Sequence, residues 1–288
     1  KIRHRLLDKK GIFVVAAFYG FTQDGLRATL SRGGSDLTGS YLAASLDAMV
    51  YENFTDKNGI SAAHPDHVPD AIKIPEITYE EIRDLAYSGF KIFQQEAMHP
   101  VQRKGIPVHV RSTFSYPTEG TRIVADRITD PEKPIVGIAY QGGFCSINIS
   151  RFGLNEEVGI LRKMLQVFEE RNLAIEYLPS AVDDLSVILR EEPLRERHLV
   201  TELINQLHHV VGEESKIELY EHLGCLAVAG KGLRGRRGIS ADIQQALAEA
   251  EVNIRFISQG AQERCIIYGL ESKDGITAVN AVYDKYFR

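Results

Sequence analysis

The second half of the chain carries the same order of elements twice, and such a repeat restricts the fold more than any other feature of the sequence. In the first copy Phe144–Arg151 alternates, with Cys145, Ile147 and Ile149 on one face, the pattern of a half-buried strand. Val158, Leu161, Leu165 and Phe168 follow at spacings of three and four, which predicts an amphipathic helix. Strands are expected at Ala174–Leu178 and Leu185–Leu189, then a helix with Leu199, Leu203 and Leu207 on one face. The second copy reads as strand Leu226–Ala229, helix Ser240–Ala250, strands Asn253–Ile257 and Cys265–Gly269, and helix Ile276–Phe287. Each copy is βαββα over roughly 75–80 residues. Such units make small ferredoxin-like sandwiches with helices over one sheet face.

Residues 1–125 read as a different, α/β arrangement. The apolar run Ile12–Ala17 is a buried-strand candidate. Asp24-Gly25 suits a hairpin turn leading into Ala28–Leu30. A helix is expected from the turn at Ser31–Asp36 to about Leu46, with Ser35 as N-cap and Asp36 favourable in the first turn. Val50–Phe54 reads as a strand. Thr78 and Glu81 have the spacing of a capping box. Helix Ala97–Lys104 stops at Gly105, and strand Ile106–Val110 follows. Composition shifts to Pro, Asp, Thr and Glu over 117–134, so the expected organisation is an α/β domain at 1–125 and a linker at 126–134. The tandem repeat then fills 135–288, with copies at about 135–215 and 216–288. The chain begins without Met and reaches a strand-like run within a dozen residues, which reads as the middle of a domain.

The net charge of −5, from 34 basic and 39 acidic residues, argues against a general nucleic-acid binder. The one basic cluster, Lys231–Arg237, reads as a strand-to-helix loop. Cys145, Cys225 and Cys265 are scattered and read as small buried hydrophobes in strands rather than a disulfide or zinc set. His64 and His67 flank Pro65, and His208 and His209 are adjacent, so neither pair makes a metal site. With no apolar run of membrane length and no secretory leader pattern, a soluble cytoplasmic protein is expected, without membrane or nucleic-acid partners.

Two segments carry the pattern of chemistry. Arg32-Gly33-Gly34-Ser35-Asp36 lies between a strand and a helix, where glycines permit close backbone approach and helix N–H groups favour an anion. By pattern alone it is equally a tight capped turn. Thr55 and Asp56 leave the Val50–Phe54 strand, at the kind of strand end where nucleotide sites occur, or form a solvent-facing turn. Lys91, read alone, is a surface residue.

Taken together, these pieces resemble the aspartokinase family. The match rests on Phe18-Tyr19-Gly20 with Thr29–Asp36, and on Tyr51–Asp56 with Gly59 and Pro65. Further along, Ile77–Glu81 leads to Gly89-Phe90-Lys91, then Glu96-Ala97, Gly105–Pro107, Arg111-Ser112 and Gly120-Thr121. The resemblance implies the C-terminal part of an amino-acid-kinase α/β sandwich followed by two ACT modules, closest to the lysine-sensitive bacterial branch. It implies phosphoryl transfer from ATP, with Mg²⁺, to the β-carboxylate of L-aspartate. Phe18, Arg32, Gly33, Gly34 and Ser35 would hold aspartate, and Thr55, Asp56, Gly59 and Lys91 would line the nucleotide site. Arg32 and Lys91 would be the catalytic cations, and phosphoryl transfer needs mainly such positioning and charge neutralisation.

Ser61, His64 and Asp66 stand where family members usually have an aromatic, an Asp or Asn, and a basic residue, which implies weaker ATP binding. The family's N-terminal lysine segment has no counterpart, so this stretch alone is expected to be inactive. The family's effector turn maps onto Asn155, Glu156, Val158, Gly159 and Ile160, with Ile175 and Glu176 on the next strand. L-lysine is the expected effector, threonine the other candidate, and a homodimer through the ACT modules the expected assembly. The competing reading is a non-catalytic lysine-binding regulatory protein.

Overall fold

The structure, a computed structural model, describes every residue except 1, 7, 8, 31, 32, 88, 90–94, 116 and 118, and the backbone alone at 4, 95 and 96. The chain forms two compact units. One comprises Lys1–Ala139, Val228–Arg236 and Tyr286–Arg288, the other Tyr140–Ala227 and Arg237–Lys285.

The first unit runs α1 (Ile2–Leu6), β1 (Tyr19–Phe21), β2 (Arg27–Thr29), α2 (Gly34–Leu46), β3 (Tyr51–Thr55), β4 (Ile60–Ser61), β5 (Lys73–Ile74), β6 (Glu76–Thr78), α3 (Tyr79–Tyr87), α4 (Gln95–Lys104), β7 (Val108–Ser112) and β8 (Thr121–Val124). Its main sheet has the order β3-β7-β8-β6, with β3 parallel to β7 and β6 parallel to β8. β1 and β2 form the hairpin expected from Asp24-Gly25, the turn closed by the Thr22 N–H on the Leu26 carbonyl at 2.9 Å. The capping box also forms. The Thr78 N–H reaches Glu81 Oε2 at 2.9 Å, and the Glu81 N–H reaches Thr78 Oγ1 at 3.2 Å.

Two expectations are corrected. Ile12–Ala17 is irregular, and Ile12 and Val14 are each 97% exposed. An apolar run becomes a strand only when neighbours complete its ladder, and none of the described strands pairs with it. Helix α2 is capped by Gly33 rather than Ser35, because the cap sits at φ 90°, a left-handed conformation that glycine adopts without strain. Just ahead of the stretch expected as a linker, Thr121–Val124 is the last strand of the main sheet, with Thr121 and Ile123 buried.

The second unit holds most of the repeat, whose elements are β9 (Gly137–Ser150), α5 (Ile160–Glu169), β10 (Ile175–Tyr177), β11 (Asp184–Arg190), α6 (Glu191–Glu196), α7 (Val200–Val211), β12 (Lys216–Ala229), α8 (Ile239–Glu249), β13 (Ile254–Gln259), β14 (Cys265–Glu271) and α9 (Gly275–Phe287). The copies share one six-stranded sheet, β10-β11-β9-β12-β14-β13, in which the first strand of each copy is the other's neighbour. The first copy adds the short helix α6, absent from the sequence reading. Its helical stripe is also shifted. Ile160, Met164, Val167 and Phe168 face the core, whereas Val158 is 97% exposed and Leu161 half exposed. Gly159 caps α5 at φ 84°, so the helix starts after Val158 and the buried face moves by one position. Cys145 and Cys225 are buried in β9 and β12, and burial pushes both thiols up to about 12; Cys265, in β14, is half-buried.

Candidate functional site

In the first unit the α2 N-terminus and the ends of the parallel pair β3–β7 come together. Thr55 is level with Ser112 at the last rung, and the Thr113 N–H closes on the Thr55 carbonyl at 2.9 Å. Beyond the strand, Thr55 Oγ1 donates to Asp56 Oδ1 at 3.0 Å and leaves the exposed carboxylate at the strand tip. Gly59 has φ 77°, and a Cβ there would meet Thr121 Oγ1 and the Gly120 backbone, so a glycine is required for the loop to fold back on β8.

On the α2 side, Gly33 opens the helix and its carbonyl receives the Asp36 and Leu37 N–H groups. The N–H groups of Gly34 and Ser35 belong to the first turn, whose donors have no acceptor within the helix. Phe18, at φ 75°, accepts the Leu30 N–H at 2.8 Å and so lies beside the strand that leads into this turn. The helix is tied to the strand. Asn53 Nδ2 donates to Asp36 Oδ1 at 3.1 Å, and the Tyr51 hydroxyl donates to the Asp36 carbonyl at 3.4 Å. Phe18, Gly33, Gly34 and Ser35 thus gather on one side, with Thr55, Asp56 and Gly59 on the other. Arg32 and Lys91 lie outside the described residues.

Ser61 is buried and accepts a hydrogen bond from Lys73 Nζ at 2.8 Å, so its side chain presents no surface to a base. His64 Nδ1 accepts the Asp66 N–H at 3.2 Å. Burial and the neighbouring His64 hold the His67 imidazole below its ordinary pKa. Among the described residues no group of three or more His, Cys, Asp or Glu side chains is placed to hold a metal ion, and no helix is long and apolar enough to cross a membrane.

Behind the Gly59 loop, the buried Thr121 hydroxyl accepts the Ile60 N–H at 2.8 Å and donates to the Ile74 carbonyl at 2.6 Å. Thr121→Val keeps the shape and strands both backbone groups. It should cost about 2–4 kcal/mol, the lower part of the range for two unsatisfied buried groups at about 1–3 kcal/mol each. Urea unfolding of the two proteins measures this, and equal midpoints would refute it.

In the second unit, the turn 151–160 crosses from β9 to α5 at one end of the sheet. Asn155 and Glu156 are exposed, Ile160 is buried, and the Gly153 N–H binds Asp183 Oδ1 at 2.8 Å. Glu157, missed by the sequence reading, pairs with Arg151 at 2.8 Å and Lys163 at 3.1 Å. Ile175 and Glu176 are elsewhere on the module. Ile175 is level with Leu189 and so with Cys145, whereas the turn leaves the sheet level with Ser150 and Asp184. Five residues of strand separate the two levels, about 17 Å. Glu176 is nearly buried and paired with Arg190 Nε at 3.2 Å.

Comparison with known proteins bears on both units. The amino acid kinase family matches residues 2–112 and the ACT domain matches residues 226–286. Aspartokinase 3 of Bacillus subtilis is 40% identical over 287 residues, 99% of this chain and 62% of its own length. Over nearly its whole length the chain is similar to aspartokinases. The crystal structure of Clostridium acetobutylicum aspartate kinase superposes with a TM-score of 0.86 at 34% identity, over 93% of this chain and 61% of that one. E. coli aspartokinase III shares the fold at 23% identity. Its complex with aspartate and ADP gives a TM-score of 0.78 over 94% of this chain and 60% of that one, and its complex with lysine and aspartate gives 0.75 over 94% and 59%. The chain therefore spans less than two thirds of the length of these relatives.

Proposed function

We propose that the complete polypeptide carrying this sequence is an aspartate kinase, transferring the γ-phosphoryl group of ATP to the β-carboxylate of L-aspartate. The observation that carries the reading is the fastening of a glycine-capped helix start to a parallel strand pair, two residues before the strand tip, in a chain 40% identical to a named aspartokinase. The helix turn at Gly33–Ser35 offers N–H groups and positive potential to a substrate carboxylate. Arg32 would pair with the same carboxylate. Thr55, Asp56 and Gly59 would bound the nucleotide, and Lys91 would neutralise its phosphates. Mg²⁺ bound with ATP supplies charge neutralisation at the phosphates, and the exposed Asp56 carboxylate has the oxygen chemistry that ion prefers.

Regulation is proposed at the turn 151–160, with L-lysine as the effector, threonine being the other candidate. The α5 N-terminus suits the carboxylate of a free amino acid, and Glu156 its side-chain ammonium. Phe152 and Val158 on the turn are 95% and 97% exposed, and Val182 on the adjoining loop 66%. An apolar face of that kind supports coverage by a second copy of the chain in a homodimer. Such a copy could also bring a β10 carrying Glu176 to the turn, which the chain's own β10 does not do.

The test is an assay of that polypeptide with L-aspartate and ATP, acyl phosphate being trapped as hydroxamate. Aspartate-dependent ADP release with hydroxamate formation is expected. Lysine should inhibit it, and Glu156→Gln should weaken lysine binding in calorimetry about tenfold, the worth of one exposed charge-assisted contact. Calorimetric lysine binding without any phosphoryl transfer would favour the non-catalytic regulatory reading instead.

A further inference from the structure

Along β3 the half-buried residues alternate: Tyr51, Asn53 and Thr55 share one face, and Glu52 and Phe54 point the other way. An inward position next to a helix ordinarily takes an apolar or β-branched residue, and asparagine is among the poorer strand formers. Asn53 nevertheless occupies the middle of this face. Its amide reaches Asp36 Oδ1 at 3.1 Å and stands 3.4 Å from the Tyr51 hydroxyl, which in turn donates to the Asp36 carbonyl. The Tyr51 ring lies flush against Gly39, where a Cβ would meet it at 2.6–2.9 Å. Both residues hold one helix by its first turn, and Asn53 makes the shorter bond, to the Asp36 carboxylate.

The spacing gives Asn53 a particular place. It is two residues before Thr55, about 7 Å along the strand, and it grips a residue three positions after Gly33. The Asn53 amide on the Asp36 carboxylate, with the longer Tyr51 bond to the Asp36 carbonyl beside it, therefore fixes the distance between the turn proposed to hold aspartate and the strand tip proposed to hold the nucleotide. In-line phosphoryl transfer depends on such distances.

We propose that Asn53 is a positioning residue for the reaction, acting through Asp36 to set the α2 turn at the register in which the bound carboxylate faces the phosphoryl group. The inference rests on the functional reading above. Because the hydrogen bond is to a charged acceptor, its loss in Asn53→Leu should raise KM for L-aspartate about tenfold or more. KM for ATP should move less than twofold, since Thr55 and its loop keep their own bonds. Asn53→Asp opposes two carboxylates and should be worse than Asn53→Leu. Asn53→Gln retains the amide and should recover part of the loss.

The experiment is steady-state kinetics of these three variants in the complete polypeptide, with thermal melts beside them. If Asn53→Leu melts too early to assay, the Asn53→Gln and Asn53→Asp pair decides, because both keep a polar side chain in the site. A parent enzyme active on aspartate whose variants keep its KM for aspartate, or lose aspartate and ATP affinity equally, overturns this inference alone. A parent with no aspartate-dependent transfer overturns the functional reading, and this one with it.

Discussion

Glu81→Ala should unfold the first unit at a markedly lower urea concentration, with a loss of about 3–5 kcal/mol, the usual result of removing one partner of a buried ion pair. Glu81 is fully buried, and its carboxylate is saturated. Arg127 donates from Nε at 2.9 Å and from Nη2 at 2.7 Å, the Lys231 N–H arrives at 2.7 Å, and the Thr78 N–H at 2.9 Å. Alanine would leave the Arg127 guanidinium, itself only 11% exposed, without its counter-charge, and would strand the backbone donors. Glu81→Gln keeps the shape and isolates the charge. Burial pushes this carboxyl up and is the largest single influence, but the Arg127, Lys231 and Thr78 hydrogen bonds together outweigh it and hold the group below its ordinary 4.5. A carboxyl depressed on folding stabilises fully above its unfolded value and loses that contribution as the pH falls through the folded one. The gap between parent and Glu81→Gln should therefore be widest at neutral pH and narrow below about pH 4.5. A gap independent of pH would mean that the carboxylate's charge is not what the pocket stabilises.

The same cluster shows what local sequence reading reaches. Thr78 and Glu81 are three apart and ahead of an apolar helix, so their reciprocal cap is legible from spacing alone. Arg127 and Lys231 are not, because one lies in a stretch that reads as linker and the other in a basic run that reads as a strand-to-helix loop. Each takes its meaning from a partner dozens of residues away, a relation that periodicity does not encode. Lys231 also binds Asp126 and the Arg127 carbonyl, so part of the basic cluster serves to seat residues 228–236 in the first unit. The repeat was readable because each βαββα copy has its own apolar periods. Its helical phase was not, since Gly159 sets the start of α5 through a backbone conformation. Likewise the gathering of Gly33–Ser35 near Thr55 was reachable only through the family resemblance. Asn53, the residue that ties the two, is uncharged and at an ordinary strand position, so neither charge nor spacing marks it in the sequence.

The contact that ties the two repeat copies yields the other large effect. Tyr140, on β9 of the first copy, lays its ring against Gly224 of β12 and Gly275, the first residue of α9, and donates its hydroxyl to the Ser272 carbonyl at 2.9 Å. Helix propensity alone says that Gly275→Ala should stabilise by up to about 1 kcal/mol, since Gly275 has ordinary helical angles. Packing says the reverse. A Cβ at 275 would fall inside the ring, and a Cβ at 224 would meet it too, so the ring is seated against both glycines and cannot yield toward Gly224. Overpacking costs about 1–3 kcal/mol, and displacing the hydroxyl forfeits about 1 more, so the packing loss wins. A net destabilisation of about 1–3 kcal/mol is expected in urea unfolding of Gly275→Ala. In a Tyr140→Ala background the obstacle is gone, only the propensity gain remains, and Gly275→Ala should turn neutral or stabilising. That reversal of sign is the decisive reading, because a helix start merely intolerant of alanine would lose the same amount in both backgrounds.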